Sequence, residues 1–392
     1  MNTSYVSLSR PSALMLGVLL LVTLALAACG GPTSESWAGL ATDSQASAIY
    51  VANGKHVVAL NPSSGAVLWE YKNGDAAFYA QPAIADGVIY VGDYSGRLHA
   101  INRDGTVLWR YTPGKQAILG PLEITPKDRV IGSVAVDSDK VYFGLGSRNV
   151  VAVSRQSGAE VWTFRTGHGV WSRPLYLPED PSDDRTGPVV YVVSLDHHLY
   201  ALNAETGKEL WRRNVGGAAP GTPVYDAERQ VLYVGTFASE LVAVSLKDGA
   251  IVDRFEADGW LWGSPAFDVD SGVLYFGDLS GALYAVRLGA DGTFVQVWKQ
   301  PLAEDGIRAT PILTDGLVIV ASKDHHLYAV NKEDGALSWD KDVKGEVLAD
   351  LVFVPGADDD APDLVITSTM NKDRLVVALN AETGEEAWTY SD

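Results

Sequence analysis

Only one cysteine stands among the 392 residues, at position 29, so the chain can form no internal disulfide and offers no Cys-based zinc spacing. Positive charge is also scarce: 30 Lys and Arg face 49 Asp and Glu, for a formal charge of −19. No basic patch or Lys/Arg-rich helix offsets this excess, which sets nucleic acid aside as a partner. A long stretch at helical period is missing, and with it the case for a helical solenoid. There is no GxSxG elbow and no phosphate loop. Gly144-Leu145-Gly146 is a lone GxG inside a strand and turn segment. Two acidic stretches, residues 179–184 (EDPSDD) and 358–363 (DDDAPD), lack the DxDxDG order of a calcium loop and read as solvated loops.

What is present begins with the first 29 residues. Residues 1–28 carry one charge, Arg10, and an apolar run over 14–28 that is too short for a comfortable membrane span. The run reads as the core of a signal peptide. It ends in Leu26-Ala27-Ala28-Cys29, and small residues before a lone cysteine match the lipobox of an acylated lipoprotein. The expectation is removal of residues 1–28, acylation of Cys29, and a flexible tether over 29–36. Acyl chains bind a membrane by about 0.8 kcal/mol per buried methylene. Losing Arg10 takes the charge from −19 to −20. The chain is then an exported, membrane-anchored lipoprotein on a periplasmic or extracellular face, stabilised by core burial alone.

The rest is a repeat. A pattern Ala-apolar-(Asn/Ser)-x-x-x-Gly-x-x-x-Trp occurs as ALNPSSGAVLW (59–69), AINRDGTVLW (100–109, one residue shorter) and AVSRQSGAEVW (152–162). It returns as ALNAETGKELW (201–211), AVNKEDGALSW (329–339) and ALNAETGEEAW (378–388). Two units are degenerate: 243–253 ends in Asp253 where Trp is expected, and the unit from 285 stretches before reaching Trp298. Eight units follow one another at 40 to 53 residues. Each splits into four short β-branched and aromatic runs closed by Gly, Asp or Asn, as in QPAIADG, VIYVGDYSG, RLHAINRDG and TVLWRYTPG. Four strands at this period predict an all-β, eight-bladed β-propeller of four-stranded antiparallel blades over residues 37–392.

These units resemble the tryptophan-docking repeats of the PQQ-type propeller family. The resemblance implies a girdle in which each Trp packs on the neighbouring blade, and assigns Trp69, Trp109, Trp162, Trp211, Trp298, Trp339 and Trp388 to structure. That family includes quinoprotein dehydrogenases, which carry a disulfide between adjacent cysteines beside the cofactor and acidic and amide ligands for Ca²⁺. Neither feature is evident in this sequence, so no resident PQQ, Ca²⁺ or other metal is expected. Lipobox, short tether and degenerate blades together look like the BamB family of lipoproteins in outer-membrane β-barrel assembly. That likeness implies a non-enzymatic scaffold docking on a protein partner through one propeller face. The alternative is a PQQ-dependent dehydrogenase or a ligand-binding propeller.

Candidate binding residues come from aligning the inner strands. Several inner strands begin with a polar residue and proline, as in Gln81-Pro82, Arg173-Pro174 and Thr310-Pro311, and two residues before that proline position every unit has a small residue, from Ala38 to Ala349, as crowding at the axis requires. Three before stand Trp37, Tyr79, Ile131, Trp171, Pro220, Trp262, Arg308 and Leu348. The bulky members Trp37, Tyr79, Trp171, Trp262 and Arg308 either line the channel mouth for a ligand or partner, or pack between blades. Neighbouring Trp260 and Arg173, with a guanidinium suited to carboxylates or phosphates, join them. Twin motifs Asp196-His197-His198 and Asp324-His325-His326 fall at equivalent turns of blades 4 and 7. Adjacent residues on a strand point apart, so these read as turns with one exposed imidazole, His197 and His325, rather than metal sites. The longer segment 115–129 is the best candidate for an inserted contact loop.

Overall fold

The repeat's Ala and Trp are cross-strand partners. In a computed structural model, which describes residues 37–114, 128–179, 187–358 and 360–392, Ala59 sits opposite Trp69, Ala152 opposite Trp162, and Ala378 opposite Trp388. On its other side each of these alanines faces the second strand, where Tyr50, Tyr142 and Ile366 stand. The methyl group is small enough for the flanking rings to meet above it. Tyr50 and Trp69 lie 6.0 Å apart, Tyr142 and Trp162 5.7 Å, and Tyr275 and Trp298 5.7 Å. Directly after the alanine a bulge shifts the register in every blade. It strengthens the twist of the outer hairpin.

Among the described residues, thirty-two strands build eight four-stranded sheets, each from four consecutive strands in the order of the chain. All the pairings are antiparallel. This is the eight-bladed propeller that the repeat predicts. In blade 1 the strands are Gly39–Thr42, Ile49–Asn53, His56–Leu60 and Val67–Lys72. Alternation divides each blade between two cores. Ile49, Val51, Val58 and Leu60 pack with Ile366, Val376 and Trp388 of blade 8, while Tyr50, Ala52, Val57 and Ala59 pack with Ile89, Val91 and Ile101 of blade 2.

Each repeat glycine closes a turn in the left-handed region, and all but Gly292 lie under the indole of the preceding blade. Gly384 has φ +70°, and a Cβ there would meet Trp339 at 2.8 Å; Gly158 stands in the same relation to Trp109, Gly207 to Trp162, and Gly65 to Trp388. The indole N–H donates to a carbonyl of the same turn: Trp162 Nε1 to Ala204 O at 2.9 Å, Trp298 Nε1 to Lys332 O at 2.9 Å, Trp388 Nε1 to Pro62 O at 2.7 Å. Trp69 and Trp211 lie on Gly105 and Gly249. The series breaks once, between blades 5 and 6, where Asp253 Oδ2 accepts from Phe294 N at 2.6 Å. Among the described residues, no strand is exchanged at the junction of blades 8 and 1. It closes through the Trp388–Pro62 bond, their shared core and a bond from Ser368 Oγ to Ala38 O at 2.6 Å.

The innermost strands meet backbone to backbone. A Cβ on Gly132 would stand 2.3 Å from Trp171 O, and one on Gly263 2.6 Å from Arg308 O. The small-residue register is a steric requirement of the axis.

Candidate functional site

In blades 2 to 8 the chain enters the inner strand through a loop tied to its own blade. Tyr94 N donates to Ala77 O at 2.9 Å, Phe237 N to Ala218 O at 2.8 Å, Leu279 N to Trp260 O at 3.0 Å and Met370 N to Glu346 O at 3.0 Å. The same bond, repeated from the turn after the second strand, fixes where the following residues project. Together they wall an axial cavity of about 350 Å³ to which all eight blades contribute.

Of the register deduced from the sequence, Trp37, Ile131, Trp171, Pro220, Trp262, Arg308 and Leu348 line this cavity. Tyr79 does not. Blade 2 presents Gln81 and Tyr94 instead, and Tyr79 packs edge-on to Tyr94 at 5.1 Å. Arg173 lines the cavity and also a second one of about 310 Å³ beyond it, formed by residues farther along the inner strands such as Thr42 and Phe353. Trp260 lies outside, 54% exposed on the rim. It stacks on Phe237 at 5.3 Å, and Phe237 meets Trp262 at 5.2 Å. Trp262 in turn stands 6.1 Å from Trp171 across the channel. A continuous aromatic ladder therefore runs from the rim to the axis.

Arg308 completes the mouth. Its guanidinium carbon is 3.6 Å from the centre of the Trp262 ring and 5.0 Å from that of Trp37, close enough for cation–π attraction to both. Its Nε is buried without a hydrogen-bond partner. Burial pushes its pKa down to about 10, against the opposing pull of Glu346. Arg173 is likewise held below its ordinary pKa by desolvation, although channel solvent reaches its side chain. A third guanidinium, Arg129, lies over Tyr94 at 5.3 Å. Among the described residues the wall holds one carboxylate, Asp350, which accepts from Thr310 N at 2.7 Å.

A family profile described as "Outer membrane protein assembly factor BamB" matches residues 31–166, 115–259, 164–292 and 286–392. The chain belongs to this family. Among curated relatives, BamB of Yersinia pestis is 28% identical over 172 residues, 43% of this chain and 42% of that protein. A quinoprotein ethanol dehydrogenase of Pseudomonas putida is 30% identical over 237 residues, 53% of this chain. This BamB-family chain spans 36% of that dehydrogenase's length. The crystal structure of BamB from Moraxella catarrhalis shares the fold at a TM-score of 0.65 and 18% identity, covering 86% of this chain and 94% of that one.

The dehydrogenase likeness prompts a test of the quinone and metal site. The BamB-family channel offers indoles and guanidinium groups. Among the described residues, however, no three His, Cys, Asp or Glu side chains converge as metal ligands, and the chain's one cysteine is Cys29. A metal-assisted quinone centre does not fit these residues.

The twin histidines lie away from the cavity. His197 and His325 are exposed, at φ +72° and +78° in their turns. The neighbouring aspartates do the structural work: Asp196 Oδ2 accepts from Tyr200 Oη at 2.6 Å, and Asp324 Oδ2 from Tyr328 Oη at 2.7 Å. Cys29, the tether and residues 115–127 lie outside the described residues, as do 180–184 and 359 of the acidic stretches. Two residues of the site are absent from the sequence reading, Phe237 and Tyr94, while Arg129 enters it only as the last residue of the contact-loop candidate 115–129. Aligning the turns after the second strands brings Tyr94 and Phe237 into one register, whereas Arg129 has no repeat signal.

Proposed function

We propose that this chain is a non-enzymatic, exported lipoprotein that works as a protein-binding scaffold in outer-membrane protein assembly. The observation that carries the reading is the aromatic ladder Trp260–Phe237–Trp262, which leaves a large indole exposed on a rim of ordered loops. Exposed aromatics beside a well-packed wall are the usual anchors of protein interfaces. Membership of the BamB family and the lipobox at Cys29 support an extracytoplasmic, membrane-tethered site of action.

A photo-crosslinking residue placed at Trp260 in the full chain, in its own host, tests this. The expected result is one defined protein adduct, a component of the membrane assembly machinery, absent when the probe replaces Glu382 in an outer-hairpin turn on the opposite face. Equal adducts from both positions, or none from Trp260, would overturn the reading.

A further inference from the structure

The formal charge of −19 makes this chain repel anions at long range, yet the wall of its axial cavity carries three arginines against one aspartate. None of the three guanidinium groups has an ion pair or hydrogen bond among the described residues: Arg129 and Arg173 face solvent, and the Nε of Arg308 is buried without a partner. Buried donors left unmade are costly, and buried charges are normally paired. Their arrangement invites an acceptor from outside.

From this geometry we infer that the channel mouth is a receptor for an acidic segment of a partner polypeptide, whose carboxylate meets Arg308 and Arg173 while flanking apolar side chains lie along Trp262, Phe237 and Trp260. A polypeptide fits better than a small anion because the ladder continues past the cavity to the exposed rim. A ligand confined to about 350 Å³ would leave Trp260 unused. The guanidinium fork supplies paired donors to a carboxylate, and the indole faces bind apolar and aromatic groups. This inference rests on the scaffold reading and names the chemistry of its partner.

The test uses the full chain purified in detergent and a fluorescent octapeptide with two glutamates between phenylalanines. Its Gln-for-Glu counterpart and benzoate serve as comparison probes. The acidic peptide is expected to bind saturably, and more weakly as salt rises. Binding should fall about tenfold for Arg308→Gln and for the exposed Arg173→Gln, with His197→Ala unchanged. Arg173→Gln keeps the test decisive if the Arg308 variant is poorly folded. Equal binding of the Glu and Gln peptides, no binding of either, or benzoate competing as well as the peptide would overturn the inference. A Trp260 crosslink without arginine-dependent peptide binding would sink this inference alone. Peptide binding without a protein crosslink would instead sink the scaffold reading.

Discussion

Trp339 covers Gly384 of the next blade, donates to Ala381 O at 3.2 Å and is 9% exposed. Truncating it leaves a cavity between two blades, so Trp339→Ala is expected to cost roughly 3–5 kcal/mol in denaturant titration. A loss below about 1 kcal/mol would contradict the docking role. A second residue-scale consequence lies in blade 2. His99 is fully buried, with Nε2 3.1 Å from Asp93 Oδ2. Burial drives the His99 pKa down, more than Asp93 raises it. For Asp93, burial opposes ionisation, but bonds from His99, Arg97 and Ser95 outweigh it and hold the carboxyl below 3.8. Both groups bind fewer protons folded than unfolded, so both favour the fold at neutral pH. The His99 contribution is lost as pH falls below 6.5, and that of Asp93 as pH falls below 3.8. Melting temperature should therefore fall on acidification from pH 7, and His99→Gln should flatten the decline below pH 6.5. An unchanged slope would contradict the assignment.

At the scale of elements, the inner strands hold the site because nothing larger than a few atoms fits between them. A Cβ at Gly263 would strike Arg308 O, a backbone atom that cannot swing aside. Gly263→Ala is expected to cost about 1–3 kcal/mol and to shift Arg308 off Trp262, read as a change in tryptophan fluorescence. Loss of stability with unchanged fluorescence would separate the two effects and contradict the positioning. These strands also show what the sequence could yield. The Ala-Gly-Trp repeat made blade number and strand order legible, because each motif residue has one steric job in every copy. The channel register was legible for the same reason at Trp37, Trp171, Trp262 and Arg308. It misplaced Tyr79, since blade 2 turns Tyr94 into the position that a strict repeat would give to residue 79. The role of Phe237 comes from stacking against Trp260 and Trp262, which the register it shares with Tyr94 does not encode, and Arg129 enters only as the last residue of segment 115–129.

For the whole molecule, the ring gathers one short segment from each of eight blades around an axis. An acidic chain thereby acquires a local cationic, aromatic mouth that no single blade contains. The fold is shared by proteins named as assembly factors and by others named as quinoprotein dehydrogenases, so the site must decide between them. The most direct measurement is titration of the purified chain with PQQ and Ca²⁺, followed by thermal melting and a dye-linked alcohol oxidation assay. The account predicts no saturable rise in melting temperature and no oxidation at ligand concentrations far above micromolar. A saturable rise accompanied by alcohol oxidation would contradict it and make this propeller an enzyme.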